Sequence, residues 1–419
     1  AKAMEAYAMD YAVHYPYHER DAGRPLATSP IHDILATQGA VFMARHGWER
    51  PAWFTPQGVE PRDEHTFARP NWFEHVGAEC RAVRERVGIL DQTSFGKFEV
   101  SGEGALESLN HLCANEIDVP IGKIVVTQML NERGGIECDV TVTRVADTMF
   151  WVITAAWTTT HDWGWLEMHL PQDGSVKLRD ITAEYAVLSL MGPRARDVLA
   201  RVTDADLSND AFRFLRARDI FVGSAPARAY RVSYVGELGW ELYMPLAYQR
   251  YAYQLLMDAG REFGIVNFGY RALDSLRMEK GYRFWGLDMN ALTTPFEAGL
   301  SQFVKLNAST GSARNFIGRD ALLKQKEQGI ARTLQCLVVE NTDSIPHGWE
   351  PIYYGDDAIS YVCSGEYGHW VEKTIVLAYL AREYSAPDTK LSIRLFRQNF
   401  PATVVRAPLY DARNEKLRA

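Results

Sequence analysis

The chain has 419 residues, of which 47% are hydrophobic and 12% aromatic, so it can build two or three packed domains and does not have the composition of a disordered chain. Its formal net charge of -8 and the absence of a clustered basic face argue against nucleic acid as a partner. Because its five cysteines are scattered, its histidines lack metal-ligand spacing and it has no run of about 18 apolar residues, we expect no disulfide framework, no metal site and no membrane span.

Residues 1–70 do not have the pattern of an independent domain. We predict one helix over residues 3–17 and a second over residues 29–43, with Ser29 as the N-cap of the second. The segment 47–54 is rich in aromatic residues and interrupted by proline, so we expect it to pack against another surface of the protein.

The body of the chain alternates helices and short strands. Residues 74–86 are predicted to be an amphipathic helix because apolar side chains recur at helical spacing, and shorter helices are predicted over residues 104–112 and 193–202. Since the alternation lacks the regular spacing of βαβ units, it favours an α+β fold.

A first hairpin is predicted from two β-rich runs, 125–130 and 136–144. They flank residues 131–135, whose paired glycines can adopt the positive φ of a tight reversal. Period-two alternation places Asp139 on one face of the second strand and apolar side chains on the other. An aspartate near a turn is often bound only to a turn amide, so the hairpin alone leaves the role of Asp139 open.

A second hairpin is predicted over residues 229–245, with its turn at residues 236–239. Glu237 lies in this turn and is expected in solvent, whereas Glu241 shares one side of the returning strand with Tyr243 and is expected to be partly buried. A buried carboxylate needs hydrogen-bond donors. The hairpin alone is also compatible with a solvated glutamate on an edge strand.

A helix is predicted over residues 269–280, with the charges of Asp274 and Arg277 on its solvated face. The aromatic loop at residues 281–286 either belongs to the core or forms a wall for a planar ligand.

A domain boundary is expected near residues 318–329, where the pattern becomes polar. Beyond it, short β-rich runs separated by Asp, Gly and Pro predict a small antiparallel barrel. The predicted strands cover residues 333–339, 358–363, 375–380, 391–396 and 402–405.

Five motifs follow one another along the chain: residues 87–100, the hairpin 125–144, Ser-Leu-Met-Gly-Pro at 189–193, residues 234–241, and Thr-Pro-Phe-Glu-Ala-Gly-Leu at 294–300. This order resembles the aminomethyltransferase family, typified by the T-protein of the glycine cleavage system. The resemblance implies an α+β aminomethyltransferase folate-binding fold over residues 71–328. It implies a small C-terminal antiparallel β-barrel over residues 329–419, with residues 1–70 as a linker segment.

By the same resemblance, the cofactor is tetrahydrofolate. Asp139 matches the family's catalytic aspartate, and Tyr234 and Glu241 match a tyrosine and a glutamate, seven residues apart, that contact folate. Leu242 and Tyr243 are expected to bind the cofactor with them. Two parallel N–H donors of the pterin suit the two oxygens of one carboxylate, and Asp139 could accept the proton released in the reaction.

One motif departs from the T-protein pattern. Leu273 stands where the T-protein has an arginine, so the resemblance leaves open whether Arg271 or Arg277 contacts folate.

A second resemblance concerns Arg-Pro-Leu-Ala-Thr-Ser-Pro at 24–30 and Gly-Trp-Glu-Arg-Pro at 47–51. These motifs are similar to the linker between the flavin and folate halves of the dimethylglycine and sarcosine dehydrogenases. The chain has no G-x-G-x-x-G fingerprint, so FAD is expected only through an N-terminal half or a partner flavoprotein.

The function implied is capture of the methyl-derived unit of an N-methylated glycine as 5,10-methylenetetrahydrofolate, in the cytoplasm or, in a eukaryote, in the mitochondrial matrix. One alternative is a flavin-free, tetrahydrofolate-dependent methyltransferase acting on a small methylated amine or onium compound. Another is a folate-binding module without catalysis.

Overall fold

The structure, a computed structural model, describes residues 1–340 and 342–419. In these residues the helices are α1 (Lys2–Met9), α2 (His32–Thr37), α3 (Phe73–Glu85), α4 (Ala105–Leu112), α5 (Thr159–His169), α6 (Ala195–Ala200), α7 (Gln249–Gly260), α8 (Tyr270–Glu279) and α9 (Arg319–Gln328). Helices α3, α4, α6 and α8 confirm the helices predicted in the body of the chain. Among the described residues, no helix combines the length and hydropathy of a membrane span.

The strands are β1 (Ala40–Arg45), β2 (Trp48–Phe54), β3 (Val87–Asp91), β4 (Gly96–Ser101), β5 (Ile124–Leu130), β6 (Ile136–Ala146), β7 (Met149–Thr154), β8 (Lys177–Asp180), β9 (Tyr185–Met191), β10 (Ala217–Val222), β11 (Ala225–Tyr230), β12 (Gly239–Pro245), β13 (Ile265–Asn267), β14 (Arg332–Val339), β15 (Pro351–Tyr354), β16 (Asp357–Tyr361), β17 (Ser364–Gly368), β18 (Lys373–Ala381), β19 (Lys390–Leu395) and β20 (Gln398–Val405). They form a hairpin, β1-β2, and three larger sheets. In spatial order these sheets are β5-β6-β7-β4-β8, β10-β11-β12-β9-β3-β13 and β16-β15-β19-β20-β14-β18-β17. This arrangement confirms the α+β class.

The N-terminal segment differs from the prediction. Helix α1 ends at Met9, and the second predicted helix is helical only in α2, because the residues that follow form strand β1, which pairs with β2. Pairing buries Val41 and Trp53 in a core shared with α3 and α8, and β-branched and aromatic side chains favour strands. The expectation that residues 47–54 pack against another surface is confirmed.

One face of the five-stranded sheet and one face of the six-stranded sheet are each covered by helices. Cys138, Val140 and Val142 of β6 pack against Leu109 of α4 and Leu166 of α5, which confirms the alternation predicted for this hairpin. On the other sheet, Trp240 and Leu242 of β12 pack against side chains of α6 and α7.

The opposite faces of these two sheets meet each other. One apolar cluster joins Trp151 and Ile153 of the five-stranded sheet to Val187, Tyr230 and Tyr243 of the six-stranded sheet. A side chain on this inner face is therefore held between two rigid sheets.

The C-terminal sheet is an antiparallel half-barrel of seven strands. Strands β14, β16, β18, β19 and β20 confirm the five predicted, and the prediction missed β15 and β17. Strand β17 contains glycine at two of its five positions and no β-branched residue, so its strand pattern is weak. Strand β15 has strand-forming residues but is only 4 residues long.

The prediction that Glu237 is solvated is wrong. Its carboxylate is buried, with Oε1 3.1 Å from Nη1 of Arg84. The other terminal nitrogen of Arg84, Nη2, lies 2.7 Å from Glu279 of α8. The ring of Tyr410 covers the same guanidinium at 3.8 Å. This network joins α3, α8, the turn before β12 and the C-terminal segment. These parts are distant in the sequence, so local sequence patterns do not reveal their contacts.

Candidate functional site

A cavity of about 1120 Å³ lies between the N-terminal segment and helix α8. Its walls come from residues 16–25, the β1-β2 hairpin, residues 61–65, helix α8 and strand β17. Much of the segment predicted to be a linker therefore forms part of the cavity wall. Among the five predicted site residues, Tyr234 is the one that lines this cavity in the described part of the chain.

Asp139 lies on β6, on the face turned toward the six-stranded sheet, directly opposite Gln128 of β5. Nε2 of Gln128 donates a hydrogen bond to its Oδ1 at 2.8 Å. Burial raises the pKa of the Asp139 carboxyl to about 6, although the hydrogen bond from Gln128 acts in the opposite direction. A carboxyl with this pKa is ionised at neutral pH yet basic enough to accept a proton during a reaction.

Glu241 lies on β12, between β11 and β9, so it is on a central strand and the edge-strand alternative is wrong. The hydroxyl of Tyr243 donates to its Oε2 at 2.8 Å. Burial raises the pKa of Glu241 to about 7, against the effect of this hydrogen bond. Its other oxygen, Oε1, accepts no hydrogen bond from the residues the structure describes, so the carboxylate can still accept donors from a ligand.

Tyr234 lies outside the paired part of the second hairpin. Strand β11 ends at Tyr230, and the pairing with β12 confirms the hairpin only at its base. The hydroxyl of Tyr234 donates to the backbone oxygen of Arg283 at 2.7 Å, and its ring stacks on Tyr282 with centroids 5.5 Å apart. Tyr234 thus presents an immobilised ring to the cavity.

Leu242 is placed differently from its neighbours. Its side chain is buried in the core on the helix-covered face of β12, away from the face that carries Glu241 and Tyr243. A ligand on the inner face would meet the backbone of Leu242 at most.

The arginines of α8 are already paired. Arg277 is buried, with Asp274 at 2.6 Å and Asp288 at 2.8 Å, so the prediction of a solvated face is wrong for this side chain. Burial acts against its charge, but these two carboxylates hold the pKa of Arg277 above its usual value. Arg271 forms an ion pair of 2.7 Å with Asp63, which belongs to the N-terminal segment.

The aromatic loop after α8 contributes to both the cavity wall and the core, the two alternatives that its sequence left open. Phe284 lines the cavity and stacks on Trp157 at 5.3 Å. Trp285 instead packs beside an apolar core cluster and donates from Nε1 to the backbone oxygen of Ile136 at 2.8 Å. This contact joins the loop to the strand that carries Asp139.

The structure also gathers a group that the sequence spacing did not suggest. Atoms of Cys138, His161 and Asp162 that could hold a metal ion lie within 4.8 Å of one another. Burial, with Asp162 nearby, raises the pKa of the Cys138 thiol well above its usual value, and Asp162 already accepts hydrogen bonds from Thr154 and His161. A protonated thiol is a poor metal ligand, so we assign no metal to this group.

Comparison of the chain with known sequence families gives two matches. The family described as "GCVT N-terminal domain" matches residues 31–308, and the one described as "Glycine cleavage T-protein C-terminal barrel domain" matches residues 332–411. The chain belongs to the GCVT family. GCVT proteins bind tetrahydrofolate and take part in one-carbon transfer, and the family resemblance drawn from the sequence is confirmed.

Two relatives show how much of a longer protein the chain covers. It is 39% identical over 412 residues to rat mitochondrial dimethylglycine dehydrogenase, covering 98% of this chain and 47% of that protein. It is also 39% identical over 389 residues to the mouse mitochondrial pyruvate dehydrogenase phosphatase regulatory subunit, covering 90% of this chain and 44% of that protein. The chain therefore spans about half the length of these relatives.

A solved structure supports the fold. The glycine cleavage system aminomethyltransferase T from Bartonella henselae superimposes with a TM-score of 0.79 over 92% of this chain and 99% of that chain, at 24% identity. This likeness concerns the fold alone.

The residues of this GCVT protein fit tetrahydrofolate. Glu241 has a free carboxylate oxygen on the inner face, and Gln128, beside Asp139, has a buried Oε1 with no partner in the described residues. Tyr234 and Phe284 supply flat aromatic walls at the cavity. A planar ligand that carries N–H donors suits the free carboxylate oxygen of Glu241, and the aromatic walls suit its flat ring.

Proposed function

We propose that this chain is the folate half of an enzyme that captures the methyl-derived unit of an N-methylated glycine as 5,10-methylenetetrahydrofolate. The observation that carries the proposal is the pair of carboxyls, Asp139 and Glu241, on the inner faces of two opposed sheets. Burial raises the pKa of both, to about 6 and about 7. Buried carboxyls with raised pKa values are typical of sites that bind polar ligands or move protons.

Glu241 is proposed to bind the pterin, since its carboxylate can accept two parallel N–H donors. Tyr243 holds this carboxylate in place through its 2.8 Å hydrogen bond, and Tyr234 contributes a ring at the cavity. Leu242 contributes through its backbone. Among these residues, Glu241 is the one whose loss should affect affinity most.

Asp139 is proposed to be the catalytic residue. Bound tetrahydrofolate supplies the nitrogen nucleophiles that take up the one-carbon unit. The Asp139 carboxylate stabilises the positive charge of an incoming iminium electrostatically and accepts a proton at Oδ2, because Oδ1 is held by Gln128.

The flavin is proposed to come from another half or subunit. Two features support this: the chain matches about half of the dehydrogenase length, and helix α1 buries none of its residues in the described structure. We further propose the predicted division of the chain into residues 1–70, 71–328 and 329–419.

The test is calorimetric titration of the chain with tetrahydrofolate, followed by stopped-flow measurement of methylenetetrahydrofolate formation from formaldehyde. Binding plus acceleration over the uncatalysed condensation supports the proposal. Binding without acceleration points to a folate-binding module, and absence of binding refutes the proposal.

A second arm distinguishes direct methyl transfer. The chain is incubated with N,N-dimethylglycine and tetrahydrofolate without flavin or oxidant. Oxidative demethylation cannot proceed under these conditions, so the proposal predicts no folate product, whereas 5-methyltetrahydrofolate would favour the flavin-free methyltransferase.

A further inference from the structure

The cavity wall contains one cation that differs from its neighbours, the half-buried guanidinium of Arg50 on strand β2. It stacks on the ring of Tyr270 with Cζ 3.3 Å from the centroid. Its Nε is buried with no hydrogen-bond partner in the described residues, and the hydroxyl of Tyr270 is likewise unpartnered. Two orphaned donors therefore lie side by side in the cavity wall.

The other arginines of this wall are matched by carboxylates. Arg24 pairs with Glu49, Arg45 with Glu19, Arg62 with Glu64, Arg271 with Asp63, and Arg277 with Asp274. Arg50 forms no ion pair with any residue that the structure describes. Burial, assisted by the charge of Arg45, lowers the pKa of Arg50, yet a guanidinium remains protonated at physiological pH. The wall thus carries a permanent positive charge without a counter-ion.

We propose that Arg50 anchors a carboxylate-binding subsite of this cavity. A guanidinium stacked on a ring keeps its in-plane N–H donors free, and these match the two oxygens of a carboxylate. Since no second unpaired cation of the cavity wall lies among the described residues, the subsite suits a singly charged planar anion better than a phosphate.

The charges of the subsite and of the carboxyl proposed to bind the pterin both act on Tyr270, the ring on which Arg50 stacks. Burial raises the pKa of Tyr270 to about 12, while Arg50 lowers it and Glu241 raises it, so both charges act on the same hydroxyl. The inference rests on the proposed function in one respect, the source of the carboxylate. It comes either from the N-methylated amino acid or from the glutamate tail of folate, and both present the same group.

The test measures binding by calorimetry for wild type, Arg50→Met and Arg50→Lys. The matched control is Arg45→Met, which removes a paired arginine from the same wall. One arm compares N,N-dimethylglycine with trimethylamine, which lacks the carboxylate. The other arm compares tetrahydrofolate with the carboxamide of tetrahydropteroate, in which an NH2 group replaces the glutamate so that no carboxylate remains.

We expect wild type to prefer the carboxylate-bearing member of one pair by about 10-fold to 100-fold, the range for a charge-assisted hydrogen bond. Arg50→Met should abolish that preference, Arg50→Lys should retain part of it, and Arg45→Met should leave it unchanged. The pair that shows the preference identifies the source of the carboxylate.

Folding provides a separate readout. Because Arg50 pairs with no carboxylate in residues 1–340 or 342–419, its loss leaves no buried charge unpaired there, and Arg50→Met should unfold at the same temperature as wild type or higher. Equal affinities for both members of both pairs in wild type would overturn the proposal, and so would a preference that survives in Arg50→Met. If N,N-dimethylglycine binding depends on Arg50 while tetrahydrofolate does not bind, the subsite stands and the proposed function fails.

Discussion

Where α3 and α8 meet the C-terminal segment, the buried guanidinium of Arg84 lies between the carboxylates of Glu237 and Glu279 and forms an ion pair with each. Between the two sheets, Asp139 and Glu241 are also held in the interior, but no cation pairs with either in the described residues. Burial raises the pKa of both carboxyls to values near neutral pH. The two regions therefore differ in whether a cation pairs with the buried carboxyls, since in the first Arg84 opposes the rise that burial causes in the pKa of Glu237.

This difference distinguishes the scaffold, the residues whose paired charges hold the fold together, from the proposed site, whose carboxyls await a ligand. A matched buried charge fixes the relative position of chain segments, and removing one member leaves the other uncompensated. An unmatched carboxyl destabilises the fold and gains its partner only from a ligand or a proton. Substitutions in the first region should therefore change stability, and substitutions in the second should change binding or rate.

The largest effect is expected from Asp139→Asn. Removing a general base lowers the rate of methylenetetrahydrofolate formation by about 10²-fold to 10⁴-fold. Single-turnover stopped-flow measurement at saturating folate isolates this step. Folate affinity should change by less than about threefold, because the hydrogen bond with Gln128 can be kept by an amide. Unchanged rates would remove Asp139 from the reaction.

Breaking the matched network should destabilise the fold without affecting the chemistry. Arg84→Met leaves Glu237 and Glu279 buried without a cation, which should lower the free energy of unfolding by about 3–5 kcal/mol. Urea denaturation followed by fluorescence measures this loss. Arg62→Met, at an exposed pair with Glu64, is the control and should change stability by less than about 1 kcal/mol. A selective loss of folate affinity in folded Arg84→Met would contradict the division into scaffold and site.

Glu241→Gln should weaken folate binding by about 10-fold to 100-fold, because an amide presents one acceptor oxygen and no charge to two donors. Calorimetry measures the affinity. Glu99→Gln, at a surface pair with Arg179 on the other sheet, is the matched control and should bind folate as wild type does. Equal affinities for both variants would remove Glu241 from the folate site.

Stability should depend on pH in the direction set by the raised pKa of Asp139. The protonated carboxyl is favoured in the folded state, so its contribution is present at low pH and is lost as the pH rises from about 4, the unfolded value, through about 6. Asp139→Asn should match wild type at pH 4 and exceed it by about 3 kcal/mol above pH 7. Urea titrations at both pH values test this, and a gain that is equal at both would contradict the assignment.

The local sequence pattern was sufficient to predict those elements whose hydrophobic period agrees with the turns that flank them. The hairpin of Asp139 and the helix α8 followed from alternation and helical spacing, and the inner-face position of Glu241 followed from its strand. The hairpin β1-β2 did not, because its strand residues also fit a helical continuation after α2.

The charges of the site depend on contacts between distant segments, which one sequence does not display. Glu237 is buried by Arg84, far earlier in the chain, and Arg277 by Asp288 from the loop after its helix. The sequence carries no signal for Arg50, because its lack of an ion pair among the described residues depends on which side chains the fold places around it.

Proton release on folate binding tests the central claim most directly, and it is measured by calorimetry at pH 7 in buffers of different ionisation enthalpy. With a pKa of about 7, Glu241 is about half protonated, and donors from the pterin favour its charged form, so binding should release about half a proton per site. We expect this release in wild type and in Arg62→Met, and its loss in Glu241→Gln. Folate binding with equal proton release in wild type and Glu241→Gln would contradict the account.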